Sequence, residues 1–171
     1  MLGVMINPAQ KKQLLFALCI FLFSVPVFAQ NSEREDLWIC PGAEIARFSV
    51  GSASFGGGLA FGYGSGISIG LKAAYFVDFD GDVSSMEFNL LLRLYFGGSG
   101  SCSGLFIQFN GGPVLFAQEK SMGIPAEKGT VSAGLSLGWR FLLGSHLFIE
   151  PSLRAGYPYI IGAGLYAGFR F

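Results

Sequence analysis

Lys72, Glu87, Arg93, Arg140, Glu150, Arg154 and Arg170 share one property. Each interrupts a run of apolar and small residues, and each falls on the leaner side of a two-residue alternation. Arg47 reads the same way in a shorter, weaker stretch, where Ala46, Phe48 and Val50 alternate with Ile45, Arg47 and Ser49. Isolated charges of this kind, turned into a narrow interior, must pair, because an unpaired buried charge costs several kcal/mol. Two acids, Glu87 and Glu150, stand against six bases. The chemistry expected of them is an interior salt-bridge network and not proton transfer to a substrate.

Other chemistry is thin. The stretch Asp78 to Asp82, "DFDGD", has the look of a calcium loop. A loop of the EF-hand type needs Gly at its sixth position and Glu at its twelfth. Val83 and Asn89 stand there, so it reads as an Asp/Gly-rich turn. No Cys/His pattern of metal-site spacing occurs, and no cofactor is expected.

The elements that must position these charges follow from composition. The chain has 171 residues and zero formal net charge. That excludes a basic nucleic-acid surface, so nucleic acid is not an expected partner. Hydrophobic residues make up 51% and charged residues 13%, where a soluble domain carries about 25% charge. Glycine accounts for 26 of the 171 residues, roughly double its usual share of ~7%.

Lys11 and Lys12 precede an apolar run from Leu14 to Phe28 that closes on "VFA". The run is shorter than the ~20 residues a membrane helix needs, so residues 1–29 read as a cleaved secretory signal peptide. Residues 30–42 read as a periplasmic lead-in, and 43–171 as the folded part.

Beyond the signal, the long uncharged stretches are too rich in glycine for helix, at ~1 kcal/mol per Gly relative to Ala. Period two fits instead. Ile67–Phe79, Met86–Phe96, Val131–Leu143, Leu147–Tyr157 and Ile161–Phe171 alternate clearly, and stretches around 44–50, 55–63 and 105–112 alternate more weakly. Eight strands of roughly ten residues match the ~9–11 that cross a bilayer when tilted. The lean face, of Gly, Ser and Ala with a few charges, suits the lining of an eight-stranded barrel. The apolar face suits lipid, where Arg or Lys at mid-bilayer costs ~2–4 kcal/mol. The expected fold is therefore all-β, an eight-stranded antiparallel transmembrane β-barrel. Turns at Gly64–Gly66, Gly97–Ser103 and Gly144–His146 would face the periplasm, and loops at Gly51–Ser54, Asp78–Ser85, Gln118–Thr130 and around Pro158 would face outward.

The chain at this point resembles the small eight-stranded outer-membrane barrels, the group of OmpA transmembrane domain, OmpX and OmpW. The resemblance covers about Glu44 to Phe171 and is most specific in the last strand, where Ile161, Leu165, Phe169 and Phe171 match the alternating apolar C-terminal strand ending in Phe. It implies an outer-membrane location in a diderm bacterium, lipid as surroundings, and the barrel-assembly machinery as a partner during insertion. It also implies a non-enzymatic structural or surface-interaction protein with a lumen plugged by a salt-bridge network. The alternative is an OmpW-like conduit for a small hydrophobic ligand, with Phe76, Leu91, Phe106, Leu142 and Phe148 as candidate lining. A third reading, a soluble lipocalin-like barrel, is opposed by the low charge count and Phe171. The lipid A deacylase of the group resembles a Ser-His-Glu arrangement near the outer leaflet. The only histidine here, His146, falls in a periplasmic turn and cannot serve there as base. Cys40 and Cys102 both fall on the expected periplasmic side, an oxidising compartment. A Cys40–Cys102 disulfide and two free thiols are the two readings.

Overall fold

Alternation of large apolar side chains with small ones gives a strand two unlike faces, and a sheet of such strands buries one face by curling upon it. In the computed structural model the chain does this eight times. The structure describes residues 36–48, 53–80, 83–96, 102–118 and 126–171. The strands are β1 (Asp36–Phe48), β2 (Ala53–Gly64), β3 (Ile67–Asp78), β4 (Val83–Phe96), β5 (Gly104–Gln118), β6 (Ala126–Leu143), β7 (Leu147–Tyr157) and β8 (Tyr159–Arg170). Each pairs antiparallel with the next, and β8 returns to β1, so the sheet is a closed barrel.

Strands β2 to β8 carry the expected alternation. Their outer faces expose Phe55, Leu59, Phe61, Leu71, Tyr75, Phe88, Phe109, Leu135, Leu137, Leu153 and Leu165. The residues between them turn inward. Expectations about strand limits need correction: Ala53–Ser54 and Val83–Ser85, expected in outer loops, are strand in β2 and β4, and two larger stretches differ as well. β1 starts at Asp36, inside the stretch read as a lead-in, because Leu37, Ile39 and their neighbours pair directly with Tyr63 and Phe61 of β2. β6 starts at Ala126 and pairs back to Gln118, so Ala126–Thr130, expected as outer loop, are strand. The signal-peptide segment 1–29, positions 51–52, 81–82 and 97–101 of the expected connections, and 119–125 of the longest one lie outside the described residues.

β1 also has its faces the other way round. Trp38, Cys40, Glu44, Ala46 and Phe48 point inward, while Leu37, Ile39, Ile45 and Arg47 point outward. Both faces of this strand carry apolar residues, so alternation alone does not decide between them. A one-residue slip reverses every side chain.

At the start of β8 the register with β1 shifts: Arg47 faces Ile161, but Phe48 faces Tyr159. Ile160 is the extra residue of a bulge, and Ile160 and Ile161 are both exposed. The bulge thereby re-aims Tyr159 into the lumen.

The interior is layered along the barrel axis. At the end that holds Asp36 and Phe171, Trp38, Cys40, Ala60, Leu91, Phe148 and Tyr166 form one apolar cluster, with Leu142 packed against it. At the other end Ala46, Phe48, Ala74, Phe76 and Tyr159 form a second, joined by Phe116. Several inward glycines serve these rings. A Cβ at Gly42 would strike the Tyr166 ring, one at Gly62 the Trp38 ring, one at Gly138 the Phe106 ring and one at Gly168 the Phe148 ring. Each aromatic lies across a glycine on the neighbouring wall, and that close approach requires the missing side chain. Gly62→Ala or Gly138→Ala should therefore overpack the lumen and cost about 1–3 kcal/mol. The effect would be read as a lower heat-denaturation midpoint of the barrel in detergent micelles; an unchanged midpoint would show that the rings have slack.

Candidate functional site

Between the two apolar clusters lies the polar centre of the molecule. Alternation on β1, β3, β4 and β7 delivers Glu44, Lys72, Glu87 and Arg154 to one level. Arg154 bridges both acids: Nη1 sits 2.9 Å from Glu44 Oε2, and Nη2 sits 3.0 Å from Glu87 Oε1. Lys72 pairs with the other oxygen of Glu44, which also accepts from the Tyr166 hydroxyl. Asn89 donates to Glu87, and Ser132 donates to Asn89 Oδ1 at 2.5 Å. Two acids and two bases balance here. The Arg154 guanidinium lies 4.5 Å from the Tyr159 ring, the residue that the bulge turns inward. Tyr159 also shares a 3.0 Å hydrogen bond with Ser85.

A second group sits nearer the end that holds Asp36 and Phe171. Arg93 Nη1 donates to Glu150 Oε1 at 2.7 Å, and Arg140 Nε pairs with the same oxygen. Arg93 further donates to Gln108 Oε1 from Nε at 2.9 Å and Nη2 at 2.7 Å, and to the Tyr95 hydroxyl at 2.9 Å. Both guanidiniums lie against aromatic rings. Arg93 is 4.2 Å from Phe106 and 4.6 Å from Trp38, and Arg140 is 3.9 Å from Phe148. At the rim, Arg170 Nη1 pairs with Asp36 Oδ2 at 3.0 Å. A cavity of about 20 Å³ separates the two groups, lined among others by Cys40, Lys72, Gln108 and Tyr166. That is room for about one water molecule.

Of the expected inward charges, Lys72, Glu87, Arg93, Arg140, Glu150, Arg154 and Arg170 all take part in these pairs. Arg47 does not: it is on the exposed face of β1. In its place β1 supplies Glu44, the acid that sequence reading misses. The signal is available in the charge count. Six bases against two acids cannot neutralise in a closed lumen, and slipping β1 by one residue exchanges a base for an acid.

The Cys40–Cys102 disulfide is not formed; both thiols are free and buried. Cys40 is an inward residue of β1 packed in the aromatic cluster, not part of a lead-in able to reach the turn. Cys102 sits beneath the β2–β3 turn, its Sγ 3.0 Å from the Gly64 carbonyl and 2.9 Å from that of Ser65. His146 is in the exposed β6–β7 turn, stacked on Phe169 with ring centroids 5.3 Å apart. Asp78 ends β3, and Phe79 and Asp80 form the turn that follows it. Ile161, Leu165, Phe169 and Phe171 all lie on the outer face. The Phe171 N–H donates to the Leu37 carbonyl at 2.9 Å, beside the β1–β8 seam.

No protein-family model matches the chain, and no curated protein does. Solved structures do. The N-terminal β-barrel domain of OprF from Pseudomonas aeruginosa superposes with a TM-score of 0.54 at 18% identity, covering 78% of this chain and 97% of that one. Neisserial surface protein A gives 0.55 at 12% identity, covering 80% and 95%. Ail, the attachment invasion locus protein of Yersinia pestis, in complex with the heparin analogue sucrose octasulfate, gives 0.52 at 11% identity, covering 80% and 97%.

Two tests follow from this geometry. Glu44→Gln leaves Lys72 and Arg154 short of a buried counter-charge and should cost about 3–5 kcal/mol, and Glu87→Ala should act in the same direction. Arg47→Gln, on the outer face, should leave the heat-denaturation midpoint unchanged. Equal effects at positions 44 and 47 would sink the assignment of faces in β1. Separately, burial pushes the Cys102 thiol from its ordinary 9.0 up to about 11. The stability linked to it is full below pH ~9 and is lost as pH rises towards about 11. At pH ~8 a maleimide should label it only after unfolding.

Eight antiparallel strands closed on themselves, matched over nearly the full length of three such structures, give this chain the fold of the small eight-stranded outer-membrane β-barrels.

Proposed function

We propose that the protein spans an outer membrane as a small, non-enzymatic barrel whose lumen is plugged by its own side chains, with a structural or surface-interaction role. The observation that carries this is the pairing of an apolar outer face with an interior of interlocked ion pairs. A soluble barrel needs the reverse. Exposed Leu135, Leu137, Leu153 and Leu165 have no counterpart in a solvated skin, whereas lipid takes them up at no cost and closure leaves no unpaired edge in the hydrocarbon. Exposed Trp139, Phe141, Phe169 and Phe171 lie towards the end that holds Asp36 and Phe171, and Phe55, Tyr75, Phe79 and Tyr157 towards the other, as interfacial girdles do.

The end holding Asp36 and Phe171 faces the periplasm in this reading. The outer face of β8, ending in Phe169 and Phe171, then serves as the strand read by the assembly machinery during insertion. The other end presents the β5–β6 hairpin to the exterior, and any surface partner would meet it there.

The plug is supported by the stacking of the interior. The candidate apolar lining is split: Leu91, Phe148 and Leu142 are in one cluster, Phe76 is in the other, and Arg93 lies against Phe106. The Glu44–Arg154–Glu87 ion pairs lie between, so a hydrophobic molecule would have to cross them.

Envelope fractionation, with and without heating before electrophoresis, tests the location. The protein should sediment with outer membrane and migrate faster unheated; a soluble protein without a mobility shift would overturn the reading. Reconstituted liposomes test the plug. They should stay impermeable to small sugars and to hydrophobic probes at the level of empty vesicles, whereas selective uptake of a hydrophobic probe would favour the conduit.

A further inference from the structure

The two polar groups of the lumen differ in a way that the plug does not require. In the Glu44–Lys72–Glu87–Arg154 group the charges cancel. In the other, Glu150 alone faces both Arg93 and Arg140, which converge on the same oxygen. Asp36, the described acid at the same end of the barrel, is taken by Arg170 at the rim. Among the described residues one positive charge is thus left over at this level, where Arg93, Arg140 and Glu150 are all buried.

Five buried polar atoms have no hydrogen-bond partner among the described residues; three of them, on Arg140 and Trp38, belong to this part of the lumen and can only donate, and the other two are the Ser54 and Ser68 hydroxyls. Arg93 spends its donors on Glu150, Gln108 and Tyr95. Arg140 spends only Nε; its Nη1 and Nη2 are buried without a partner among the described residues. Arg140 is 1% exposed, so solvent does not serve them. The Trp38 indole Nε1, also buried, likewise has none, and its ring is 4.9 Å from the Arg140 guanidinium carbon. Guanidinium and indole nitrogens can only donate. What satisfies them must therefore accept, and what neutralises the layer must be negative.

We infer that the lumen binds a small monovalent anion, of the halide class, on Arg140 Nη1 and Nη2 and the Trp38 indole N–H. This goes beyond the plugging role, since a plug needs only paired charges. Size limits the class. The Arg140 guanidinium is walled by Phe148 at 3.9 Å, Trp38 at 4.9 Å and Tyr95 at 5.3 Å. A multi-oxygen anion such as sulfate would have to displace these rings. Water is the neutral competitor: it would meet the hydrogen bonds but leave the charge.

The two tryptophans make the site directly readable. Trp139 is on the outer face, so Trp139→Phe leaves Trp38 as the sole indole reporter without touching the lumen. The full chain would be refolded in zwitterionic micelles in sodium gluconate, with gluconate replaced stepwise by iodide at constant ionic strength. A bound heavy halide should quench Trp38 fluorescence saturably in the millimolar range, by at least twofold, with chloride competing. Adding Arg140→Gln should abolish the saturable phase. Linear quenching, or quenching indifferent to Arg140, would overturn the inference and leave water on these donors. Should Arg140→Gln fail to give the heat-modifiable band, the unsubstituted chain decides. Its heat-denaturation midpoint should be higher in chloride than in gluconate at equal ionic strength, and equal midpoints would overturn the site.

Discussion

An eight-stranded barrel is only as wide as the side chains that fill it. The charges that the strands turn inward meet their counterparts on other walls, and much of the structure follows from that condition. It explains why Arg154 on β7 reaches Glu44 on β1 and Glu87 on β4, elements far apart in the chain. It also explains the many glycines. Long bases and aromatic rings must both cross a narrow lumen, and they do so by lying along walls stripped of side chains, as Trp38 does over Gly62 and Phe106 over Gly138. The ion pairs and the glycines are two solutions to one shortage of space.

Most of this is legible in the sequence wherever one face of a strand is plainly apolar and the other plainly lean. Strands β3, β4, β6 and β7 meet that condition, and alternation alone turns Lys72, Glu87, Arg93, Arg140, Glu150 and Arg154 inward. β1 does not meet it. Trp38, Cys40 and Phe48 on one side and Leu37, Ile39 and Ile45 on the other give alternation no purchase, so a reading by pattern puts Arg47 where Glu44 belongs. Tyr159 is illegible for a different reason. A bulge is a matter of register between two strands, here β8 against β1, and a single strand's pattern does not contain it.

The cysteines show a further limit. Cys40 and Cys102 look alike in compartment and in position along the axis. What separates them is which way a strand residue points and where a turn folds back. Cys40 is locked in the lumen by the pleat of β1, and Cys102 is held by the carbonyls of Gly64 and Ser65. Neither constraint can be seen without the pairing of β1 to β2 and the contact of Cys102 with the β2–β3 turn.

The hairpin of β5 and β6 outruns its neighbour. β6 pairs with β7 only from Ala133 onward, where Tyr157 stands opposite, while its earlier residues from Ala126 have partners on β5 alone. Among the described side chains of β6, the buried one farthest towards that end is Ser132. Ser132, through its hydrogen bond to Asn89, is thus where the overhang joins the interlocked core. Beyond Ser132, Gly129, Thr130 and Val131 bury no side chain in the lumen, so in the orientation proposed above substitutions at these positions would meet the surroundings of the barrel before they met its packing.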